Sequence, residues 1–239
     1  MSRSDSHPAF VLHSRSYRET SAIVDLFVPE TGRVSVVAKG VHRAKSSLGA
    51  TLQPFYPLLV SYAGRSELKN LKSAEIAGEP LRLQGRALFS GLYLNELVAR
   101  TVQTQYHCEE LFDSYQAALK GLAGSTAVEP ILREFELHLL EQLGYGIPFP
   151  EVILGDGGDN TKSFFYHKNG HFEEMNGTIR DASRSYRAQD LTAIAAGQFE
   201  SAATLRAAKR LSRQAFEPLL AGKSLRSREL FRTYHQEKQ

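Results

Sequence analysis

An α+β chain is predicted, with a small N-terminal β-barrel, a mainly helical remainder and a small β-hairpin insert. Three observations lead there. Five short apolar runs crowd into the first eighty residues with no long helical stretch between them. After Pro80 the apolar period lengthens to that of helices. Within the helical part, the Asn169-Gly170 pair lies between aromatic runs and marks a hairpin. The expected domains are 1–80 and 81–239, with the turn-rich hairpin insert at about 150–180.

The barrel strands follow in order. Ala9–His13, Ile23–Val28 and Val34–Ala38 are the first three, and Pro29-Glu30-Thr31-Gly32 turns the chain between the last two. Leu52–Tyr62 is rich in β-formers but broken by Pro54 and Pro57, which predicts an edge or bulged strand. A turn at Ala63-Gly64-Arg65 leads to Leu68–Ala77. Strand number and size fit an OB-fold barrel best, and an SH3-like barrel has similar statistics.

Beyond Pro80, Leu88, Leu92, Leu94, Leu97, Val98 and Val102 fall largely at helical spacings, as do Leu111, Phe112, Tyr115, Ala118, Leu119 and Leu122. Pro130 opens a third helix whose stripe is Ile131, Phe135, Leu139 and Leu143, stopped by Gly144-Tyr-Gly-Ile-Pro148. Three successive antiparallel helices are the simplest packing. The loop Gly155–Asn160 precedes the hairpin, which is expected to lean on the helices because two strands alone are marginal. Asp190–Ala196 and Thr204–Glu217 are further helices, the second with Leu205, Ala208, Leu211, Ala215 and Phe216 inward. Ser227–Tyr234 is a final segment.

Composition narrows the function. At 239 residues, 42% hydrophobic and 23% charged, the chain is an ordinary globular one. It has no apolar run long enough to span a bilayer and no secretory leader at its N-terminus. The single cysteine, Cys108, excludes an intramolecular disulfide framework and a thiolate-rich zinc site. A cytoplasmic location is expected. The formal charge is only +3, but it is segregated. Residues 1–80 hold 10 Lys/Arg against 7 Asp/Glu, residues 81–179 hold 7 against 13, and residues 180–239 hold 12 against 6. Basic ends around an acidic middle suit a protein that holds a polyanion on one face.

The best candidate for that face is the run from Gly32 to Ser46. Arg33, Lys39, Arg43 and Lys45 lie there, and Thr31–Ser66 contains no acid. Cations on a strand and its following loop neutralise successive phosphates without reading bases. Rings are the usual partners of such a groove. Phe55, Tyr56, Tyr62, Phe27 and Tyr17 are candidates, and Tyr56 and Tyr62 are the two expected outside the core, for base stacking. A second basic surface is Arg206, Lys209, Arg210 and Arg213 on the Thr204–Glu217 helix, followed by Lys223, Arg226 and Arg228.

Other motifs carry no chemistry. Gly155-Asp-Gly-Gly-Asp-Asn160 lacks the completion of a calcium loop. Gly222-Lys-Ser is not a phosphate-binding loop, because the required first glycine position is Glu217. His167 and His171 lack a third metal ligand, and no acid pair suits a nuclease. Neither an enzyme nor a cofactor or metal is expected.

Several segments resemble, in order and across nearly the whole chain, the RecO family of bacterial DNA repair proteins. They are Phe10-Val-Leu-His-Ser-Arg15, Gly32-Arg-Val-Ser-Val-Val-Ala-Lys-Gly40, Leu52-Gln-Pro-Phe55, Ser90-Gly-Leu-Tyr-Leu-Asn-Glu-Leu97, Phe135-Glu-Leu-His-Leu-Leu-Glu-Gln-Leu-Gly-Tyr-Gly146 and Gly222-Lys-Ser-Leu-Arg-Ser-Arg-Glu-Leu230. The resemblance implies an N-terminal OB-fold before a mostly helical domain. It implies a non-enzymatic recombination mediator, nucleoid-associated, that binds single- and double-stranded DNA and anneals complementary strands. Its implied partners are the single-stranded-DNA-binding protein and RecR, with functional links to RecF and RecA. Arg33, Lys39, Arg43 and Lys45 look like the family's basic barrel region. The zinc cysteines that many members carry after the Leu-Gly-Tyr segment are missing here, so zinc is not carried over.

Family members also capture the acidic tail of the single-strand-binding protein on the helical domain. Arg133 near Ile131, Leu132 and Phe135, or Arg206 beside Leu205, is the expected docking point. An RNA-binding barrel and a protein adaptor without annealing activity are the alternative functions.

Overall fold

The computed structural model describes residues 6–44, 46–154, 161–176, 181–227 and 229. Lys45, the 155–160 loop, Arg228 and the segment from residue 230 onward lie outside the described residues. The chain forms two compact units, one of Met1–Thr126 with Lys223–Gln239 and one of Ala127–Gly222. The second unit is thus spliced into the first.

In the first unit, β1 (His7–Tyr17), β2 (Ser21–Val28), β3 (Gly32–Ala38), β4 (Leu58–Ala63) and β5 (Leu68–Ile76) close a barrel in the order β1-β2-β3-β5-β4. All pairings are antiparallel except β3 with β5, and the short helix α1 (Leu48–Thr51) joins β3 to β4. This is OB-fold-like topology, which decides between the two barrel types. The alternation in β3 is strict: Val34, Val36 and Ala38 are buried, whereas Arg33, Ser35 and Val37 are half-exposed. Ala9, Val11, Val24, Leu26, Val28, Leu58 and Val60 complete the interior. The prolines split the expected Leu52–Tyr62 strand, so β4 begins only after Pro57. It is not an edge, because it closes on β1, but it is bulged at Ser61/Tyr62.

Part of the barrel is covered on its outer side as well. Ala9 to Leu12 are all buried. Phe10 and Phe27 point away from the barrel interior and meet Phe112 and Tyr115 with ring centroids 5.3–5.5 Å apart. These rings belong to α3 (Glu109–Gly124), and α2 (Gly85–Thr101) lies along β1. Gly91 lets α2 approach closely, since a Cβ there would stand 2.5 Å from Leu83 Cδ1 and 2.8 Å from Phe55 Cε1. A buried amide locks the contact. Asn95 Nδ2 donates to the carbonyls of Val11 and Leu12, each at 3.1 Å, beside the β1 bulge. Its Oδ1 accepts from the Tyr115 hydroxyl at 2.5 Å. The expected bundle of three successive helices is therefore divided. The apolar outer face of β1 and β2 claims α2 and α3, while α4 (Val128–Gln142) packs on α7 (Ala202–Ala215) in the second unit.

The C-terminal segment returns to α2. Arg226 and Ser227 donate their N–H groups to the Glu96 carboxylate at 3.0 and 2.8 Å, and the Ser227 hydroxyl adds a bond at 2.7 Å. Burial alone would raise the Glu96 carboxyl, but these donors from Ser227 and Arg226, with the Arg100 charge, outweigh it and hold it below its usual value.

The second unit also holds α5 (Glu151–Leu154), β6 (Ser163–Tyr166), β7 (Phe172–Glu174), β8 (Ser185–Arg187) and α6 (Ala188–Ala195). The hairpin forms where Asn169-Gly170 places it, with Gly170 at φ +88° and the turn closed by His167 N–H on the His171 carbonyl at 2.9 Å. A third strand, β8, pairs with β6. Phe164, Tyr166 and Tyr186 then share one core with Leu191, Ile194, Ala207, Ala208 and Leu211. No described helix is long and apolar enough to cross a membrane.

Candidate nucleic-acid interface

Strand register places the cations of the barrel. Ala22 and Val24 face inward, so Ser21 and Ile23 face out. Arg15 pairs with Ile23 and Tyr17 with Ser21, which sets both on the outer face. Ile23 in turn pairs with Val37, and Lys39 follows on the outward alternation of β3. Past Ala38 the chain turns at Gly40, φ +72°, where a Cβ would meet the Arg43 side chain at 3.3 Å. His42 N–H donates to the Thr20 carbonyl at 3.1 Å and ties this loop to the β1–β2 turn. Arg15, Arg18, Lys39 and Arg43 are all exposed at this end of the barrel, with Glu19 the neighbouring acid in the turn. Among the described residues, none of Arg15, Lys39 and Arg43 pairs with a carboxylate. Asp25, also outward, is occupied by the Ser35 hydroxyl.

Not every expected residue joins this cluster. Arg33 lies about 20 Å away at the other end of β3. Its N–H donates to the Gln103 carbonyl and its Nε is enclosed without a partner. Lys45 is outside the described residues. Tyr56 and Tyr62 are half-buried and pack against the barrel core; Tyr62 also stacks on His7 and bonds through its hydroxyl to Thr31 Oγ1 at 3.2 Å. Phe27 and Phe55 are buried. Arg15 and Arg18 were missed by reading the basic run alone. Their signal was the alternation Arg15-x-Tyr17 at a strand end, which needs the register to be seen.

The second basic surface lies on α7, where Arg206, Lys209 and Arg213 share one exposed face at i, i+3 and i+7 spacing. Arg210 does not face outward as expected. It donates to the Ser185 carbonyl at 2.7 Å and sits 4.4 Å over the Tyr186 ring, whose hydroxyl burial pushes up to about 12. Arg133 on α4 is 4% exposed. Its Nη2 meets Glu136 Oε1 at 2.6 Å, while its Nε and Nη1 have no hydrogen-bond partner. Lys209 is held below its ordinary value by burial first, then by Arg213 and Arg133, against Glu129 and Glu136. Phe135 is buried and offers no ring to a partner.

On the hairpin, His167 and His171 stack at 4.3 Å, and Glu173 lies 2.8 Å from His167 Nε2. No group of three or more His, Cys, Asp or Glu side chains among the described residues is placed to hold a metal ion.

Comparison with known proteins decides the family. Residues 1–79 match the family described as "Recombination protein O N terminal", and residues 82–229 match "Recombination protein O C terminal". The chain belongs to the RecO family. It is 45% identical over 228 residues to the protein named DNA repair protein RecO from Escherichia coli O139:H28, covering 95% of this chain and 93% of that one. The RecO proteins of Escherichia fergusonii and Shigella sonnei match equally. As a RecO-family protein it is a DNA repair and recombination mediator. The two family regions meet near residue 80, whereas the first compact unit runs on through α2 and α3.

Proposed function

We propose that the protein binds single- and double-stranded DNA on the outer barrel face, anneals complementary strands and helps load RecA with RecR, in concert with RecF. The observation that carries the DNA-binding part is the exposed set Arg15, Lys39 and Arg43 around one barrel end, with no carboxylate partner among the described residues. Arg33, at the far end of β3 with its Nε enclosed, stands outside this path. Two single strands repel through their phosphates, and a surface that neutralises both while leaving bases accessible raises their local concentration and lowers that repulsion. The exposed α7 cations Arg206, Lys209 and Arg213 give a second strand a place to bind. No bond is made or broken by the protein in this scheme. Its place of action is the nucleoid.

The acidic tail of the single-strand-binding protein docks, in this reading, at the α4–α7 cations. The tail's carboxylates meet the exposed Arg206 and Lys209, with the charge of the enclosed Arg133 behind them, and a carboxylate there relieves the crowding of Lys209 by Arg213 and Arg133. Arg206 rims the site. Annealing of complementary oligonucleotides, bare and precoated with the single-strand-binding protein, tests the whole scheme. Acceleration on coated strands that a free tail peptide abolishes is expected; no acceleration on either substrate would refute it.

A further inference from the structure

Given that the outer barrel face holds DNA, as proposed above, we infer that Tyr17 is the platform on which an unpaired base stacks there. Three observations converge on this ring. First, its pairing with Ser21 sets it on the outer face, two residues from Arg15 and in the row that leads to Lys39. A base stacked on Tyr17 has its phosphates between these cations. Second, the Arg18 guanidinium lies over the Tyr17 ring, 5.1 Å from its centroid. A flat cation already occupies the position a base takes, and it can cap the base or move to the adjoining phosphate. Arg18 reaches there from a left-handed backbone, φ 56°. Third, the rival rings are engaged elsewhere. Phe27 and Phe55 are buried, and Tyr56 and Tyr62 lean on the barrel core, whereas Tyr17 stays half-exposed outside it.

The ligand class follows. Stacking on a ring needs an unpaired base, so Tyr17 acts on single strands and leaves duplex binding to the cations. It reads no sequence, since every base has a face to stack. In annealing, a strand held in this way is released from the ring as its bases pair.

The test compares a labelled single strand with its matched duplex across four proteins: wild type, Tyr17→Ala, Tyr17→Trp and Lys39→Gln/Arg43→Gln. Tyr17→Ala should bind the single strand about 5- to 140-fold more weakly and the duplex within about twofold of wild type. Duplex binding also reports that this variant is folded. The chain contains no tryptophan, so Tyr17→Trp supplies a single indole. Its affinity for the single strand should persist, with emission quenched by the single strand and not by the duplex. Wild-type single-strand affinity in Tyr17→Ala, or equal losses on both substrates, would overturn the inference if the Lys39→Gln/Arg43→Gln protein is weakened. If that double variant also binds as wild type, the DNA-binding role of the face is what fails.

Discussion

Neutralising Arg15, Lys39 and Arg43 together should change the salt dependence of single-strand binding by a calculable amount. Each cation that meets a phosphate releases a counterion, worth about 0.7 in the slope of log affinity against log salt for a single strand. Three exposed cations without carboxylate partners should therefore remove about 2 from that slope. Over a fourfold rise in salt, from about 50 to 200 mM, the gap between wild type and the triple Gln variant should shrink by about 18-fold. Arg33→Gln is the internal control. Its enclosed Nε and its distance from the cluster predict a slope change of less than about 0.5. Fluorescence anisotropy titrations of a labelled oligothymidine at four salt concentrations would read both. A triple variant with the wild-type slope, or an Arg33→Gln effect as large as the triple one, would refute the placement of the DNA path.

Other consequences are equally open to measurement. Asn95→Ala strips the Val11 and Leu12 carbonyls of their buried donor and should cost about 2–4 kcal/mol in urea unfolding, against about 1–2 for Tyr115→Phe. Cys108, buried, with its Sγ against the Val28 carbonyl and its thiol pushed up to about 11 by burial, should react with thiol reagents only as the first unit opens. Labelling rate should therefore rise with urea concentration, and at a fixed urea concentration rise with pH between about 7 and 9 as the opened thiol ionises. Lys209 has a folded-state value below its ordinary 10.5, so the unfolded chain holds that proton more tightly. Stability should rise as pH climbs through the window beneath 10.5, and Lys209→Met should flatten that rise and stabilise the protein at pH 7. Arg133→Met, which breaks a buried ion pair, should cost about 3–5 kcal/mol, and Arg133→Met/Glu136→Leu should recover most of it. Tail-peptide binding should be lost in both, as titration calorimetry would record.

Much of this architecture is legible in local pattern. β3 alternates because one face fills a barrel, and Asn169-Gly170 turns because glycine accepts the left-handed conformation. Helix partners are harder to read. Phe10 and Phe27 on strands apolar on both sides were the sign that helices cover that part of the barrel, but period alone did not name α2 and α3. β8 is three residues long and has no period of its own; only its pairing with β6 reveals it. At the sites, the exposed Lys39 and Arg43 follow from an acid-free run after a strand. Arg133 and Glu136 look like a solvated i,i+3 pair, and their burial depends on the α4–α7 crossing. Arg210 has the spacing of its exposed neighbours, yet it is drawn to Tyr186 and the Ser185 carbonyl by a strand not visible in the pattern.

The splice of one unit into the other has a bearing on biosynthesis. Leu225 is wholly buried, and Glu96 takes its donors from Arg226 and Ser227. A ribosome that has finished the barrel strands, α2 and α3 must still translate about a hundred residues before the piece that satisfies Glu96 emerges. The inserted unit can complete itself first. Full consolidation of the first unit is thus deferred until the inserted unit has been translated, and a chain clipped after Gly222 would show its damage on the far side of the inserted unit, around Glu96.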